Sequence, residues 1–296
     1  MVIIGRIKSI IEMTKPLQTM LLMITMIGGY LAAGGNSIWT VIILLLAGYT
    51  SIGGTTVLNM YLERDIDSVM NRTMKRPLPS GRVGGIETVA SSLILLSISV
   101  YLSQLINSYV LLAVLAGVYF DILIYTNLVK RKTPYNIILG GIAGAMPSLG
   151  GWAAATGVIS LGGLLLSFAV MLWIPLHIWI LAYYLKDEYA RAQVPMFPVI
   201  SSPIKTATYI KAALYTLIVN IALFMFTQGY GIIAFAFTTI LIIRALKMLD
   251  NFKADPNKAT AFKLYKFASP IVGTLFILLP IDYWLKSYEL LLFKVF

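Results

Sequence analysis

The sequence contains no cysteine and only one histidine among its 296 residues. The absence of cysteine excludes disulfides, thiolate catalysis and zinc–thiolate sites. No H-E-x-x-H zinc motif, no G-x-x-x-x-G-K-[ST] phosphate loop and no glycine-rich dinucleotide fingerprint after a strand is present. Any active site in this chain therefore has to be built mainly from carboxylate, amide and basic side chains.

Charge is also scarce, since 12% of the residues are charged and 59% are hydrophobic. A soluble domain usually carries about twice that charged fraction. Apolar runs recur along the whole chain, and a spanning helix needs roughly 20 apolar residues. We therefore predict an all-α polytopic membrane protein that forms a single domain over residues 1–296. The expected spans are 17–34, 38–60, 88–105, 109–128, 137–156, 161–184, 208–227, 230–248 and 268–285.

The charge that is present lies on one side of these spans. The net charge is +11, and 21 of the 23 Lys and Arg residues fall in the N-terminal segment or in alternate connections. Basic residues that flank spans set their orientation, which explains the positive charge more simply than nucleic-acid binding. We expect a multi-pass protein of the cell membrane with its N-terminus and charged loops in the cytoplasm, in contact with lipid headgroups or an anionic substrate.

The end of the second span carries the residues that we call the first acidic group, Asn59, Glu63 and Asp67. Their i, i+4, i+8 spacing places them on one helical face. Two carboxylates and an amide oxygen suit Mg²⁺, which takes one or two carboxylates together with substrate phosphates and water. Basic residues that could hold a diphosphate follow at Arg72, Lys75, Arg76 and Arg82. An ordinary charged loop with ion pairs that support the helix explains the spacing equally well.

A second acidic group, Asp187 and Glu188, follows the sixth span. Alone, such a pair is typical of a solvated helix end, but its position matches that of the first group and suggests two related halves. Between the two lies a basic loop, Lys130, Arg131 and Lys132, which is either a simple orientation signal or a third wall for a diphosphate.

Two ionisable residues inside the spans are candidates for a function, His177 in the sixth and Asp121 in the fourth. His177 could ligate a porphyrin iron, contact a substrate carboxylate or bond a neighbouring helix, and Asp121 could be structural or catalytic. A cation-coupled transporter is an alternative for the whole protein. Transporter sites usually lie near the bilayer midplane, whereas most acids here lie at helix ends.

In this order, the segments resemble the UbiA-type superfamily of intramembrane prenyltransferases, and within it the heme O synthases. The resemblance extends from about residue 13 to residue 285. It is carried by TKP at 14–16, NMYLERDIDSVMNRTMKRPL at 59–78, YTNLVKRKTPYNIILGGIAGAMPSLGGW at 125–152 and WIPLHIWILAYYLKDEYARAQVPMFPV at 173–199.

The resemblance implies a bundle of about nine transmembrane helices around a central cavity that is capped on the cytoplasmic side. It implies Mg²⁺ as cofactor, farnesyl or geranylgeranyl diphosphate as donor, and heme b as the acceptor that is alkylated at a vinyl group. Related acceptors are a quinone precursor or a lipid. The resemblance also allows an association with heme A synthase or with terminal oxidase assembly.

The family's functional residues carry over by position. The catalytic and metal-binding set is Asn59, Glu63, Asp67, Asp187 and Glu188, and the substrate-binding set is Arg64, Arg72, Lys75, Arg76, Tyr125, Lys130, Arg131 and His177. Glu63 and Glu188 stand where aspartate is commoner in the family, and Leu17 replaces a basic residue. Aromatic residues that could stabilise an allylic cation through their π faces are Trp152, Trp173 and Trp179.

Overall fold

In the computed structural model, which describes the backbone of residues 2–295 and the side chains of residues 5–288, every regular element is a helix. The helices are α1 (Val2–Met13), α2 (Pro16–Ala32), α3 (Ile38–Leu62), α4 (Arg64–Val69), α5 (Gly85–Ile106), α6 (Ser108–Val129), α7 (Asn136–Thr156), α8 (Leu161–Tyr184), α9 (Lys186–Arg191), α10 (Phe197–Ile200), α11 (Pro203–Gln228), α12 (Ile232–Ala254) and α13 (Lys258–Val295). Two of the long helices contain π-helical segments, at Tyr119–Val129 in α6 and at Pro175–Trp179 in α8.

Eight of these helices are long and apolar enough to cross a membrane, and α1 with α2, bent by 49°, forms the ninth candidate if the pair counts as one span. The all-helical membrane fold predicted from the sequence is therefore confirmed. Several helices extend beyond the predicted spans. The last candidate span, for example, covers Lys258–Tyr288 instead of 268–285. Hydropathy marks only the apolar part of a helix, while the helix itself continues into the charged face.

The spans close into a ring, because the last long helix, α13, packs against α2 as well as α12. Helix α2 also packs against α7 along small residues. A Cβ added at Gly151 would lie 1.8 Å from the carbonyl oxygen of Met26, and one at Gly29 would lie 2.7 Å from that of Ser148. The two backbones are thus in direct contact, the close approach that small residues permit between membrane helices.

The helix end opposite the charged loops is capped by a side chain of the last helix. There the carboxylate of Asp282 accepts hydrogen bonds from the backbone N–H groups of Ile233 (3.1 Å) and Ala234 (2.8 Å). A side chain of α13 thereby provides hydrogen-bond acceptors for the free backbone N–H groups in the first turn of α12. Around the bundle, large apolar side chains are exposed, such as Ile86 (88%) and Phe226 (85%), as expected where lipid replaces water.

A cavity of about 220 Å³ lies between α2, α3, α6 and α7. Its wall consists mainly of glycine, alanine and aliphatic residues: Leu22, Met26, Leu44, Ala47, Gly48, Ser51, Ile52, Thr55, Thr56, Val110, Ala113, Val114, Gly117, Asp121, Gly140, Ala143, Gly144, Met146, Pro147 and Gly150. Asp121 is the one ionisable residue in this wall, within the part of the chain that the structure describes.

Candidate active site

The first acidic group lies where α3 ends and α4 begins. The helix breaks at Glu63, yet the helical hydrogen bonds continue through it. The N–H of Glu63 donates to the carbonyl of Asn59, and the N–H of Asp67 donates to that of Glu63, both at 2.9 Å. The three side chains therefore occupy successive turns of one face. Glu63 and Asp67 are only 6% and 3% exposed, so their charges need partners.

Each buried carboxylate has a cationic partner from another segment. The Nζ of Lys130, from the basic loop, pairs with Glu63. The Nη1 of Arg76, from the loop after α4, lies 2.9 and 2.8 Å from the two carboxylate oxygens of Asp67. Burial on its own lowers the pKa of Lys130, but Tyr125 and Glu63 outweigh this effect and raise it above its ordinary value. Two buried ion pairs thus form the base of the site.

Lys15 adds a third cation that our assignment from the sequence missed. It lies in the turn between α1 and α2, and its neighbouring charges are Arg76, Lys130, Glu63 and Asp67. Burial is the main cause that lowers the pKa of Lys15 to about 8. Its backbone is left-handed, with φ 48°, a conformation that costs a non-glycine residue free energy. The TKP segment at 14–16 was the available signal.

The π-helical part of α6 connects the ion pairs with the cavity. Asn59 Nδ2 donates to Thr126 Oγ1 at 3.0 Å, and Lys130 Nζ lies 5.2 Å from the ring centre of Tyr125. The Tyr125 ring rests on Gly140, where an added Cβ would lie 2.6 Å from the ring. Since Gly140 and Asp121 both line the cavity, the charged cluster stands at one end of the apolar chamber. Such π-helical insertions are frequent at functional sites.

The two residues of the second acidic group diverge. Glu188 accepts a hydrogen bond from the backbone N–H of Arg72, in the loop after α4, at 3.4 Å. Asp187 turns outwards and pairs with Lys258 at 2.6 Å, with both side chains more than half exposed. The hydrogen bond from Lys258 lowers the pKa of Asp187. The next residue, Tyr189, lies among Lys130 and Tyr125 and was also missed from the sequence.

Four of the predicted substrate-binding cations lie outside this cluster, among them Arg72, whose side chain is exposed. Arg131 makes a two-pronged ion pair with exposed Asp65 at 2.7 and 2.8 Å, which lowers the pKa of Asp65 to about 2. Arg64 donates to the carbonyl of Tyr61 at 2.9 Å. The side chain of Lys75 is exposed. The basic side chains that do reach the buried carboxylates are therefore fewer than the resemblance implied.

The three tryptophans that could stabilise an allylic cation through their π faces do not line the chamber. Of the described residues that line the chamber, none is aromatic. Trp152 donates to Ser160 Oγ at 2.7 Å and Trp173 to the carbonyl of Ala268 at 2.8 Å, while Trp179 packs on Phe197. These indoles fill gaps between helices, so their π faces are not part of the chamber wall.

The five predicted metal ligands do not converge. Among the residues that the structure describes, no group of three or more His, Cys, Asp or Glu side chains is placed to hold a metal ion. Lys130 and Arg76 draw the carboxylates of the first group into ion pairs, and Asp187 faces Lys258. The first acidic group nevertheless offers two carboxylates and an amide at successive turns. This set fits Mg²⁺ that shares its remaining positions with substrate phosphate and water.

The electrostatic character of the cluster follows from its members. Lys15, Arg76 and Lys130 supply three cations against the two carboxylates of Glu63 and Asp67. The buried cluster is thus net positive and lies beside an apolar chamber. It suits an amphiphilic anion whose charged head stays at the charged face while its apolar tail enters the chamber.

Comparison with known proteins agrees with this geometry. The UbiA prenyltransferase family matches residues 21–269. A protoheme IX farnesyltransferase of Aeropyrum pernix is 46% identical over 290 residues, which cover 98% of this chain and 96% of the relative. A second protoheme IX farnesyltransferase, from Korarchaeum cryptofilum, is 40% identical and covers 94% of each chain.

A solved structure extends the likeness to the fold. A UbiA homolog from Archaeoglobus fulgidus bound to DMAPP and Mg²⁺ has a TM-score of 0.68 at 13% identity and covers 92% of this chain and 99% of its own. At this identity the likeness concerns the fold alone. The sequence matches go further, and this chain belongs to the UbiA prenyltransferase family.

Proposed function

We propose that this chain is a Mg²⁺-dependent prenyltransferase that moves a farnesyl or geranylgeranyl group from its diphosphate to a vinyl group of heme b. The observation that carries the proposal is the position of the buried Glu63–Lys130 and Asp67–Arg76 pairs at one end of an apolar chamber. Few reactions besides prenyl transfer need a diphosphate clamp and a dry apolar chamber side by side. The whole chain acts as one membrane-embedded domain in this proposal.

Lys15, Arg76 and Lys130 bind the diphosphate. Arg76 is half-buried and presents a planar guanidinium that can bond two oxygens at once, and Lys130 is buried enough for its charge to act over a short distance. When the diphosphate arrives, Arg76 and Lys130 exchange their carboxylate partners for phosphate oxygens, and Lys15 adds a third positive charge. Charge that develops on the leaving group then meets cations that are already in place.

The first acidic group would hold Mg²⁺ in this site, and Glu188 is the proposed contribution of the second acidic group. When bound, the ion neutralises the diphosphate and supports its departure as a Lewis acid. Asp187 is the weakest member of the predicted metal set, because it faces the exposed Lys258.

The chamber between α2, α3, α6 and α7 receives the prenyl chain. Its glycine, alanine and aliphatic wall excludes water, which protects an allylic cation from hydrolysis. The C–O bond breaks with the electron pair leaving on the diphosphate, and the vinyl π electrons form the new C–C bond. Water then adds to the resulting cation on the acceptor and loses a proton.

The acceptor is proposed from the relatives and from one residue. Curated relatives of high coverage bear the name protoheme IX farnesyltransferase, and His177 supplies the imidazole that a heme would use. A quinone precursor or a lipid is the alternative acceptor. The clustering of acids at helix ends favours an enzyme over a cation-coupled transporter.

The proposed location is the cell membrane, with the N-terminus and charged loops in the cytoplasm. This topology is supported by the concentration of Lys and Arg on one face. Association with heme A synthase or terminal oxidase assembly stays a prediction.

The test is a reconstituted reaction. Purified protein is incubated with heme b, farnesyl diphosphate and Mg²⁺, and the extracted hemes are analysed by mass spectrometry. We expect a hydroxyethylfarnesyl heme, no product in the presence of EDTA, and recovery when Mg²⁺ is returned in excess. Parallel reactions with a quinone precursor and with a lipid acceptor identify the alternatives, and product from either of these but not from heme would refute the heme assignment.

A further inference from the structure

Asp121 is an ionisable residue inside the bundle to which the proposed function gives no role. It lies in the π-helical segment of α6 and lines the apolar chamber. An acid at such a place is costly and is usually paired or functional. Its carboxylate is within hydrogen-bonding reach of the side chain of Asn59, and the charges that act on it are those of Glu63, Lys130 and Lys15. Asp121 therefore borders both the chamber and the first acidic group.

The π-helical segment places Asp121 on the same face as Thr126, five positions later. In an α-helix, side chains five positions apart point in directions that differ by about 140°. A π-helix instead bonds each N–H to the carbonyl five residues earlier, so that such side chains stand above one another. The N–H of Lys130 donates to the carbonyl of Tyr125 in this way, at 2.8 Å. Asp121 and Thr126 can thus reach the same side chain of the neighbouring helix α3.

That side chain is Asn59. Its Nδ2 donates to Thr126 Oγ1 at 3.0 Å, and the carboxylate of Asp121 faces the same amide. An amide nitrogen has two protons to donate, and an ionised carboxylate can only accept. Turning the amide over would set Asn59 Oδ1 against the carboxylate, so the two acceptors of α6 determine which branch faces them. In the part of the chain that the structure describes, no hydrogen bond reaches Oδ1.

We propose that Asp121 and Thr126 are positioning residues, which hold the amide nitrogen of Asn59 so that its oxygen is presented to the metal of the first acidic group. The proposal rests on the proposed function, because it assumes that Mg²⁺ binds there. Mg²⁺ takes oxygen ligands, so an amide that turned over freely would present it with a donor part of the time. Partners that orient a metal ligand contribute about 10–100-fold in metal affinity or activity.

Two simpler explanations compete with orientation. Asp121 could attract the metal through its charge alone, or the contacts could only pack α3 against α6. Thr126→Val tests the first, because it removes an acceptor of Asn59 and no charge. Asn59→Ala tests it as well, since orientation requires the amide, whereas the charge of Asp121 acts whether the amide is present or not. A packing role would lower the melting temperature and leave metal affinity unchanged.

The experiment measures Mn²⁺ binding by EPR, on full-length protein in nanodiscs with farnesyl S-thiolodiphosphate, a donor analogue whose C–S bond resists cleavage. Mn²⁺ suits the same oxygen ligands as Mg²⁺. The variants are Thr126→Val, Asp121→Asn, Asn59→Ala and the combination of the last two. The matched control is Thr238→Val, because Thr238 is buried in α12 and its hydroxyl has no hydrogen-bond partner among the described residues. Thermal melting and prenyl transfer with Mg²⁺ are measured on the same samples.

We expect Thr126→Val and Asp121→Asn each to weaken Mn²⁺ binding about ten-fold, and Thr238→Val to match wild type. In the Asn59→Ala background, Asp121→Asn should change the affinity by less than about two-fold, because the residue through which it acts is gone.

An equal loss of affinity from Asp121→Asn with and without Asn59 would assign the effect to charge and overturn the proposal. Unchanged Mn²⁺ affinity in both Thr126→Val and Asp121→Asn would overturn it too. In either case the proposed function stands if wild type transfers the prenyl group with Mg²⁺. If wild type binds no Mn²⁺ beside the analogue and transfers no prenyl group, both the orientation of Asn59 and the proposed function are wrong.

Discussion

The Asp67–Arg76 pair gives the sharpest test of how the site works, because it serves both the fold and the reaction. The side chains are 4% and 21% exposed, and Arg76 bonds both carboxylate oxygens. Asp67→Asn leaves Arg76 without its counter-charge in a largely buried place. Breaking a buried pair costs about 3–5 kcal/mol of stability. Because Arg76 is partly exposed, we expect Asp67→Asn to lower the free energy of unfolding by about 3 kcal/mol.

A double-mutant cycle separates the two roles. Arg76→Met alone leaves Asp67 unpaired and should destabilise the protein similarly, whereas the combination of Asp67→Asn with Arg76→Met removes both charges. Replacing a whole buried pair by neutral groups is often close to neutral. We therefore expect the double variant to regain stability to within about 1 kcal/mol of wild type.

Activity should not follow stability in this cycle. Asp67→Asn removes a charge proposed to hold Mg²⁺, and Arg76→Met removes a diphosphate contact, so each variant should lose at least about 100-fold in kcat/KM. The double variant, although stable, should stay inactive. Denaturant unfolding followed by tryptophan fluorescence and the heme prenylation assay report the two quantities. A stable double variant with near-normal turnover would falsify the proposed role of the pair, and Asp65→Asn, at an exposed pair, is the control for loss of charge alone.

Three further predictions concern single positions. Burial lowers the pKa of Lys15 to about 8, so its charge is lost as the pH rises through that value. The kcat/KM for the diphosphate should fall in the same pH range. Lys15→Arg, which stays charged, should move this fall to higher pH. Arg131→Ala should change KM by less than about three-fold and stability by less than about 1 kcal/mol, since its pair with Asp65 is exposed; a large rise in KM would return Arg131 to the site. Gly117 lines the chamber, and a Cβ there meets only Met146 at 3.5 Å. Gly117→Ala should therefore be tolerated, whereas Gly117→Leu should fill the chamber and, in a competition assay, favour shorter prenyl diphosphates over farnesyl diphosphate. If Gly117→Leu leaves this preference unchanged, the prenyl chain binds elsewhere.

The parts of the site that depend on local helix geometry could be predicted from the sequence. Asn59, Glu63 and Asp67 lie on one face because their spacing follows the helical repeat, and the repeat survives the break at Glu63. Partners that are distant in sequence could not be predicted. Lys130 and Glu63 are 67 residues apart, and nothing in the basic loop distinguishes Lys130 from Arg131, although one is buried and the other exposed.

The positions of Lys15 and Tyr125 could not be predicted for the same reason, because they depend on the tertiary structure. Lys15 is a single lysine before a proline, and only its left-handed turn brings it to the carboxylates. The π-helical segments have no periodic sequence signature, so the position of Tyr125 against Gly140 was not readable. The glycines of segment 140–152 serve two purposes: Gly151 lets α7 approach α2 closely, and Gly140 lines the chamber.

The ion pairs of the first acidic group determine how Mg²⁺ and the diphosphate affect each other's binding. A diphosphate that bound alone would take Lys130 and Arg76 from Glu63 and Asp67, and it would leave two buried carboxylates without partners, which is costly. Mg²⁺ that bound alone would compete with two cations already in contact with its ligands. If both bind as proposed, the carboxylates would turn to the metal, the cations would turn to the phosphates, and no buried charge would be left unpaired. Under the proposed function we therefore expect metal and diphosphate to favour each other's binding, and by thermodynamic linkage each should raise the affinity of the other by the same factor.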